Sequence, residues 1–241
     1  MVASKNTVAA LELSEAHLIS KGGHRSCYRH PSDSTKCIKV LHQPWREIDR
    51  RLRDPLRILR RRRNYDENLS EYLELTKLEK QLGDAHSKHF PRAYGFEPTN
   101  LGEGLVVDLV QDHNGAASLT LKTFLWENNL TPALEKAIDA FWNFLKQREV
   151  IVRDPFPHNL LVKRNGSGEN DLQIIQIDGF GYSDFLPFSR MFRGLRNRKL
   201  DNRRERMERQ MRKHLADIVN GVPPRGKGIV QADNHLDASD L

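Results

Sequence analysis

The chain has 241 residues, 38% of them hydrophobic, enough for a real core in one domain or in two small lobes. Its longest apolar runs, such as residues 105–107 and 150–152, fall far short of the roughly 20 residues a membrane span needs, so a soluble protein without a transmembrane segment is expected. The net charge of +7 is concentrated: residues 46–63 carry nine Arg against three acids, and residues 190–213 carry eleven Arg or Lys against three acids. Such segments suit an anionic partner. For the second, a solvated helix face with Arg204, Glu205, Glu208 and Arg209 in mixed sign is the simpler reading. Lys5, Glu12 and Glu15 interrupt the first residues, so no secretory signal is expected. Cys27 and Cys37 lack CxxC spacing, which fits a reducing, cytoplasmic setting.

In chain order, residues 1–15 read as a weakly ordered lead-in. From Leu18 the pattern predicts a strand, a Lys-Gly-Gly turn, a strand through residues 26–29, a Pro-Ser-Asp-Ser turn and a strand over residues 36–41. After the Arg-rich connection, Leu69, Tyr72, Leu75, Leu78 and Leu82 keep a helical period over residues 67–82. Residues 90–96 and 105–110 read as two further strands. Helices are predicted over residues 118–127 and 131–148, the second opened by Thr131 as cap and Pro132 in its first turn. A Pro-stiffened turn follows, then strands over residues 159–163 and 172–177, and a basic helical stretch to about Val219. Residues 221–241 read as a flexible tail.

The turn VRDPFPHNLLV, residues 152–162, places Asp154 and Asn159 five positions apart just before a hairpin, and Asp178 follows the hairpin's second strand. The chain reversal therefore brings two carboxylates and an amide oxygen to one end, a donor set suited to a hard cation such as Mg²⁺.

Asp, four residues, then Asn, followed by Asp178-Gly179-Phe180-Gly181, resembles the catalytic loop and metal motif of kinases with one Gly inserted. The stretch from Ile19 to Tyr28, containing Gly22-Gly23, is similar to a glycine-rich loop. Lys36-Cys-Ile-Lys39 resembles the strand-lysine motif, and Glu71 occupies the place of the helix glutamate. More closely, GGHRSCYRHP, KCIKV and RDPFPHNLLV resemble the bacterial YrbL family, the PhoP regulatory network proteins, over roughly residues 18–185.

The resemblance implies an α+β, bilobal, protein-kinase-like fold. A five-stranded antiparallel N-lobe sheet with one helix would span residues 1–112, a small, mainly helical C-lobe residues 113–220, and a tail residues 221–241. It also implies ATP and Mg²⁺ as cofactors, and γ-phosphate transfer to a hydroxyl acceptor that the sequence does not identify, in a Mg²⁺-responsive bacterial regulatory context. Asp154 would orient or deprotonate the attacking hydroxyl, Asn159 and Asp178 would hold Mg²⁺, and Lys39, held by Glu71 in preference to Glu74, would contact the phosphates. Gly22 and Gly23 would admit the phosphates to backbone amides, Cys27 would pack on the base, and residues 110–112, with Val110 and Asp112, would offer backbone hydrogen bonds to adenine.

Departures from the kinase pattern leave two alternatives open. Ser20 and Arg25 occupy glycine positions, Val152 replaces a loop histidine, and Phe156 stands where a phosphate-contacting Lys or His is usual. A pseudokinase acting as a nucleotide-responsive module is the first alternative. A nucleic-acid binder using the two Arg-rich segments is the second and less favoured one. His86 and His89 read as a surface pair rather than a zinc site. Trp45, Trp126 and Trp142 read as core or interface anchors, and Phe185, Phe188 and Phe192 as helix-packing residues.

Overall fold

The protein is described here by a computed structural model covering residues 9–42, 66–168, 171–180 and 193–223. The whole of the first Arg-rich segment, Trp45, and the phenylalanines 185, 188 and 192 lie outside the described residues.

Five strands form one antiparallel sheet: β1 (Leu18–Lys21), β2 (Arg25–His30), β3 (Asp33–Leu41), β4 (Ala93–Thr99) and β5 (Gly102–Asp108), in the order β1-β2-β3-β5-β4. Strand alternation sorts the side chains. On one face Ile38 and Val40 join Tyr28, Val106 and Leu13 in a small apolar cluster, while Cys37 and Lys39 take the other face. Helix α1 (Glu67–Leu82) lies against β3, β4 and β5, burying Leu75, Leu78 and Leu82 at helical spacing. Asp66 caps it by accepting the Leu69 N–H at 2.8 Å.

Several boundaries differ from the sequence-based expectations, each for a local reason. The lead-in is tied down from Leu11. Its N–H donates to Pro98 O, the Asn100 N–H donates to Leu11 O, and the Asn100 amide brackets the main chain of Leu13, which is buried. Strand β3 begins at Asp33, because Pro31 and Ser32 alone make the turn. Strand β4 begins at Ala93, since Pro91 has no N–H for a ladder and the Phe90 N–H is spent on His86 O.

In the second half, β6 (Leu119–Thr120), β7 (Leu160–Arg164) and β8 (Leu172–Gln176) make a three-stranded antiparallel sheet. The helix expected from residue 118 is α2 (Leu121–Asn128). Leu119 and Thr120 pair with Val162 and Leu161, and Thr120 then caps the helix by accepting the Thr123 N–H. Helix α3 (Pro132–Gln147) starts as expected, with Thr131 accepting the Leu134 N–H, and buries Leu134, Ile138, Phe141, Trp142 and Leu145. It packs on β8 and on α4 (Arg193–Val219), which also covers α2. The main apolar core crosses the 112/113 boundary, running from Leu75 and Leu78 through Phe90 and Phe180 to Phe141, Leu160 and Ile174.

Two sequence readings are corrected here. His86 and His89 are buried, not a surface pair: His86 lies beside Phe90, and His89 packs against Phe144 at 4.5 Å between ring centroids with its Nδ1 2.7 Å from Ile174 O. The short 3-10 helix Gly83–Lys88 buries His86 despite its polar composition, and His89, its C-cap, packs on α3 and β8. Nor is α4 uniformly solvated. Arg204 pairs with Glu208 and Asp139, but Arg196 and Arg203 are buried, Arg196 holding Glu149.

Candidate functional site

The inward face of β2 and β3 meets the loops at the ends of β7 and β8 across a cleft of about 570 Å³, a size that suits a small ligand such as a nucleotide. Gly22 and Gly23 lie at its rim, in a turn closed by the Gly22 N–H donating to Arg25 O at 2.8 Å. Cys27, Cys37 and Lys39 form the roof, Leu109 and Val110 one side wall, and Leu161 and Ile177 the apolar floor. Asp154, Asn159 and Asp178 stand along the other edge.

Lys39 is buried and donates from Nζ to Glu71 Oε1 at 2.6 Å and to Ile177 O at 2.8 Å. Glu74 pairs instead with Lys77 at 3.4 Å. Desolvation works against the Lys39 charge and Arg25 adds to it, but the Glu71 carboxylate together with Asp178 and Cys27 outweighs them and holds the ammonium above its ordinary pKa. Glu71 itself is almost wholly buried, with a second cation at its other oxygen: Arg25 Nη1 lies 2.5 Å from Oε2.

Arg25, which the sequence marks only as filling a glycine position of the loop, reaches further into the site than that reading allows. Its Nη1 also reaches Asn68 Oδ1 at 3.1 Å, and its Nη2 reaches Asp178 Oδ2 at 2.9 Å. Partial burial opposes the Asp178 charge, yet Arg25, then Lys39 and the Gly179 N–H, overcome it and hold the carboxyl at about 2. A signal was available in the strand register. Arg25, Cys27 and Lys39 share one face of β2 and β3, and an inward-facing Arg requires acids opposite it.

The opposite edge is built around Gly179. Its carbonyl accepts the N–H groups of Arg153 and Asp154, at 3.0 and 3.1 Å, and its φ is +72°. A Cβ there would lie 2.8 Å from Asp154 O and 3.2 Å from Asn159 Nδ2, so the inserted glycine lets the two loops touch. The Asn159 Nδ2 donates to Asp154 O at 2.9 Å, which leaves Oδ1 as the atom that could ligate a cation. Gln176, fully buried, donates to the carbonyls of both Asp178 and Gly179 and was also missed. A lone Gln in the apolar run Ile174-Ile175-Gln176-Ile177 was its signal. Phe180 turns into the core against Phe90, 6.2 Å between centroids. The Asp154 Oδ2 accepts from Arg153 Nε at 2.8 Å, and Phe156 stacks on His158 at the cleft's outer edge.

Asp112 is not brought to the cleft. Its buried carboxylate binds Ser118 Oγ and the Arg164 N–H and guanidinium, and its N–H donates to Ala116 O. Val110 does line the cleft, with its carbonyl taken by the Ser118 N–H at 3.0 Å. Cys27 interacts with the Cys37 thiol, which lowers its pKa against the effect of burial, while the Cys37 thiol is raised.

Among the described residues no cluster of three or more His, Cys, Asp or Glu gathers at one point. A cation here would have Asp178 and the Asn159 amide oxygen and would draw its other ligands from water and phosphate, the habit of Mg²⁺.

These features define a mixed α+β protein whose cleft, with charged groups along its edge, lies between a five-stranded antiparallel sheet and a helical half. The chain belongs to the PhoP regulatory network protein YrbL family, whose model matches residues 11–212. It is 25% identical over 183 residues to uncharacterized protein YrbL of Escherichia coli strain K12, covering 74% of this chain and 77% of that protein. The same figures hold for uncharacterized protein YrbL of Shigella flexneri. Among the described residues no helix is long and apolar enough to cross a membrane.

Proposed function

We propose that the chain has a kinase-like arrangement, binds ATP with Mg²⁺ in this cleft and transfers the γ-phosphate to a hydroxyl acceptor. The observation that carries the reading is the convergence of Lys39, Asn159 and Asp178, from β3 and two loops, on one cleft beside Asp154, with Glu71 of α1 holding Lys39 from behind. In this reading the adenine packs between Cys27 and Leu161 against the Leu109–Val110 main chain. The phosphates extend beneath Gly22 and Gly23 toward Lys39, whose charge Glu71 maintains.

The residues fit a Mg²⁺ ion: Asp178 and Asn159 Oδ1 are hard oxygen donors, fixed by the Gly179 N–H and by Asp154 O. Bound Mg²⁺ would neutralise phosphate charge. With Arg153 on Oδ2, the Asp154 Oδ1 is the atom left to accept the hydroxyl proton, and Arg153 supplies a cation near the position where Phe156 offers none. The family name sets the chain in a PhoP regulatory network, a context in keeping with a Mg²⁺-dependent site.

If Asp154 is the base, Asp154→Asn should lower phosphate transfer about 10²- to 10⁴-fold. Unchanged transfer in that variant contradicts the assignment.

Phe156 and the Arg25–Asp178 pair favour a second reading, a nucleotide-responsive binding module without turnover. It predicts nucleotide binding with no Asp154-dependent loss of the γ-phosphate.

A further inference from the structure

We infer that Arg25 is a resident cation at Asp178 and that Mg²⁺ bound with a nucleotide must displace it. The inference rests on the nucleotide reading above and adds a device that the cation motif alone does not contain.

The guanidinium is a fork with two separate tasks. Nη1 is anchored on α1, 2.5 Å from Glu71 Oε2 and 3.1 Å from Asn68 Oδ1. Nη2 alone crosses the cleft to Asp178 Oδ2 at 2.9 Å. The two ends differ in their surroundings: Glu71 is 3% exposed and Asp178 47%. Water already reaches the Asp178 end, so that contact is the weaker one. It can open while the Glu71 end stays closed, and Arg25 then remains beside Lys39 with one donor free to face phosphate.

The carboxylate geometry points the same way. Asp178 Oδ1 accepts the Gly179 N–H at 2.6 Å and Oδ2 accepts from Arg25, so a cation that binds Oδ2 takes the place of Arg25, and one that binds Oδ1 meets the guanidinium charge on the same carboxylate. The pairing also spans the cleft, from the strand that follows the glycine turn to the loop after β8. Opening it frees β2 from the Asp178 loop on the side where the phosphates enter.

The test is the Mg²⁺ concentration at which ADP half-reaches its full thermal stabilisation, measured for the wild type, Arg25→Met and Arg25→Gln. Arg25→Gln retains a donor toward Glu71 without the charge, and guards against a packing defect in the first variant. Loss of a competitor equal to one charge-assisted hydrogen bond should lower the half-saturating Mg²⁺ about tenfold in both variants. An unchanged or raised Mg²⁺ requirement, with ADP binding intact, overturns the competition and leaves the nucleotide reading standing. If ADP gives no stabilisation in the wild type at any Mg²⁺ concentration, the nucleotide reading itself fails and the competition goes with it.

Discussion

Lys39 Nζ stands 2.6 Å from Glu71 Oε1, an ion pair that ties β3 to the second turn of α1. Because Arg25 takes the second oxygen of the same carboxylate, one buried acid neutralises two inward-facing cations. The roof of the cleft therefore depends on Glu71 more than on either base.

Replacing Glu71 by Ala leaves Lys39 and Arg25 without their shared counter-ion. A loss of about 3–5 kcal/mol in unfolding free energy is expected, as for other broken buried pairs. Urea unfolding checks it, and a loss below 1 kcal/mol, on the order of an exposed pair, would show that water supports the roof instead.

Gly179→Ala places a Cβ 2.8 Å from Asp154 O at a φ of +72°. The backbone strain alone is expected to cost about 1–3 kcal/mol. The two loops must also separate, so the variant should lose Mg²⁺-dependent stabilisation by nucleotide even at temperatures where it is folded. A fully responsive variant would mean that the loop contact has no part in the site.

His86 and His89 give the protein an acid limit. Burial lowers both pKa values, against a Glu79 effect at His86 and the Ile174 carbonyl at His89. The unfolded chain therefore takes up protons first. Stability should be level above the ordinary histidine value of about 6.5 and fall as pH drops through it toward the lowered folded values. Neither His86 ring nitrogen has a hydrogen-bond partner among the described residues, so His86→Leu should flatten that slope. An equal slope in the variant, measured by denaturant unfolding from pH 8 to 5, would assign the effect elsewhere.

The sequence yielded what period and spacing encode. Helix α1 was legible from Leu75, Leu78 and Leu82, and with it the inward position of Glu71. The shared end of Asp154, Asn159 and Asp178 followed from hairpin logic. What it did not yield depends on contacts distant in sequence. Arg25 meets Asp178 across 153 positions, and only the sheet register says that it points inward. Asp112 sits in the connector where a backbone role was expected, but its side chain is absorbed by Ser118 and Arg164. The imidazoles at 86 and 89 are flanked by polar residues that suggest a surface, while the aromatic rings that bury them come from Phe90, Phe141 and Phe144.

Thermal unfolding with ATP, with and without Mg²⁺, for the wild type, Lys39→Ala and Asp178→Ala tests the central claim most directly. A ligand present at about 100 times its Kd stabilises the folded state by roughly 2.7 kcal/mol, a shift of a few degrees that is readily measured. The account predicts that ATP stabilises the wild type only when Mg²⁺ is present, and neither variant under either condition. An equal response to ATP in all three proteins, or none in the wild type, would contradict it.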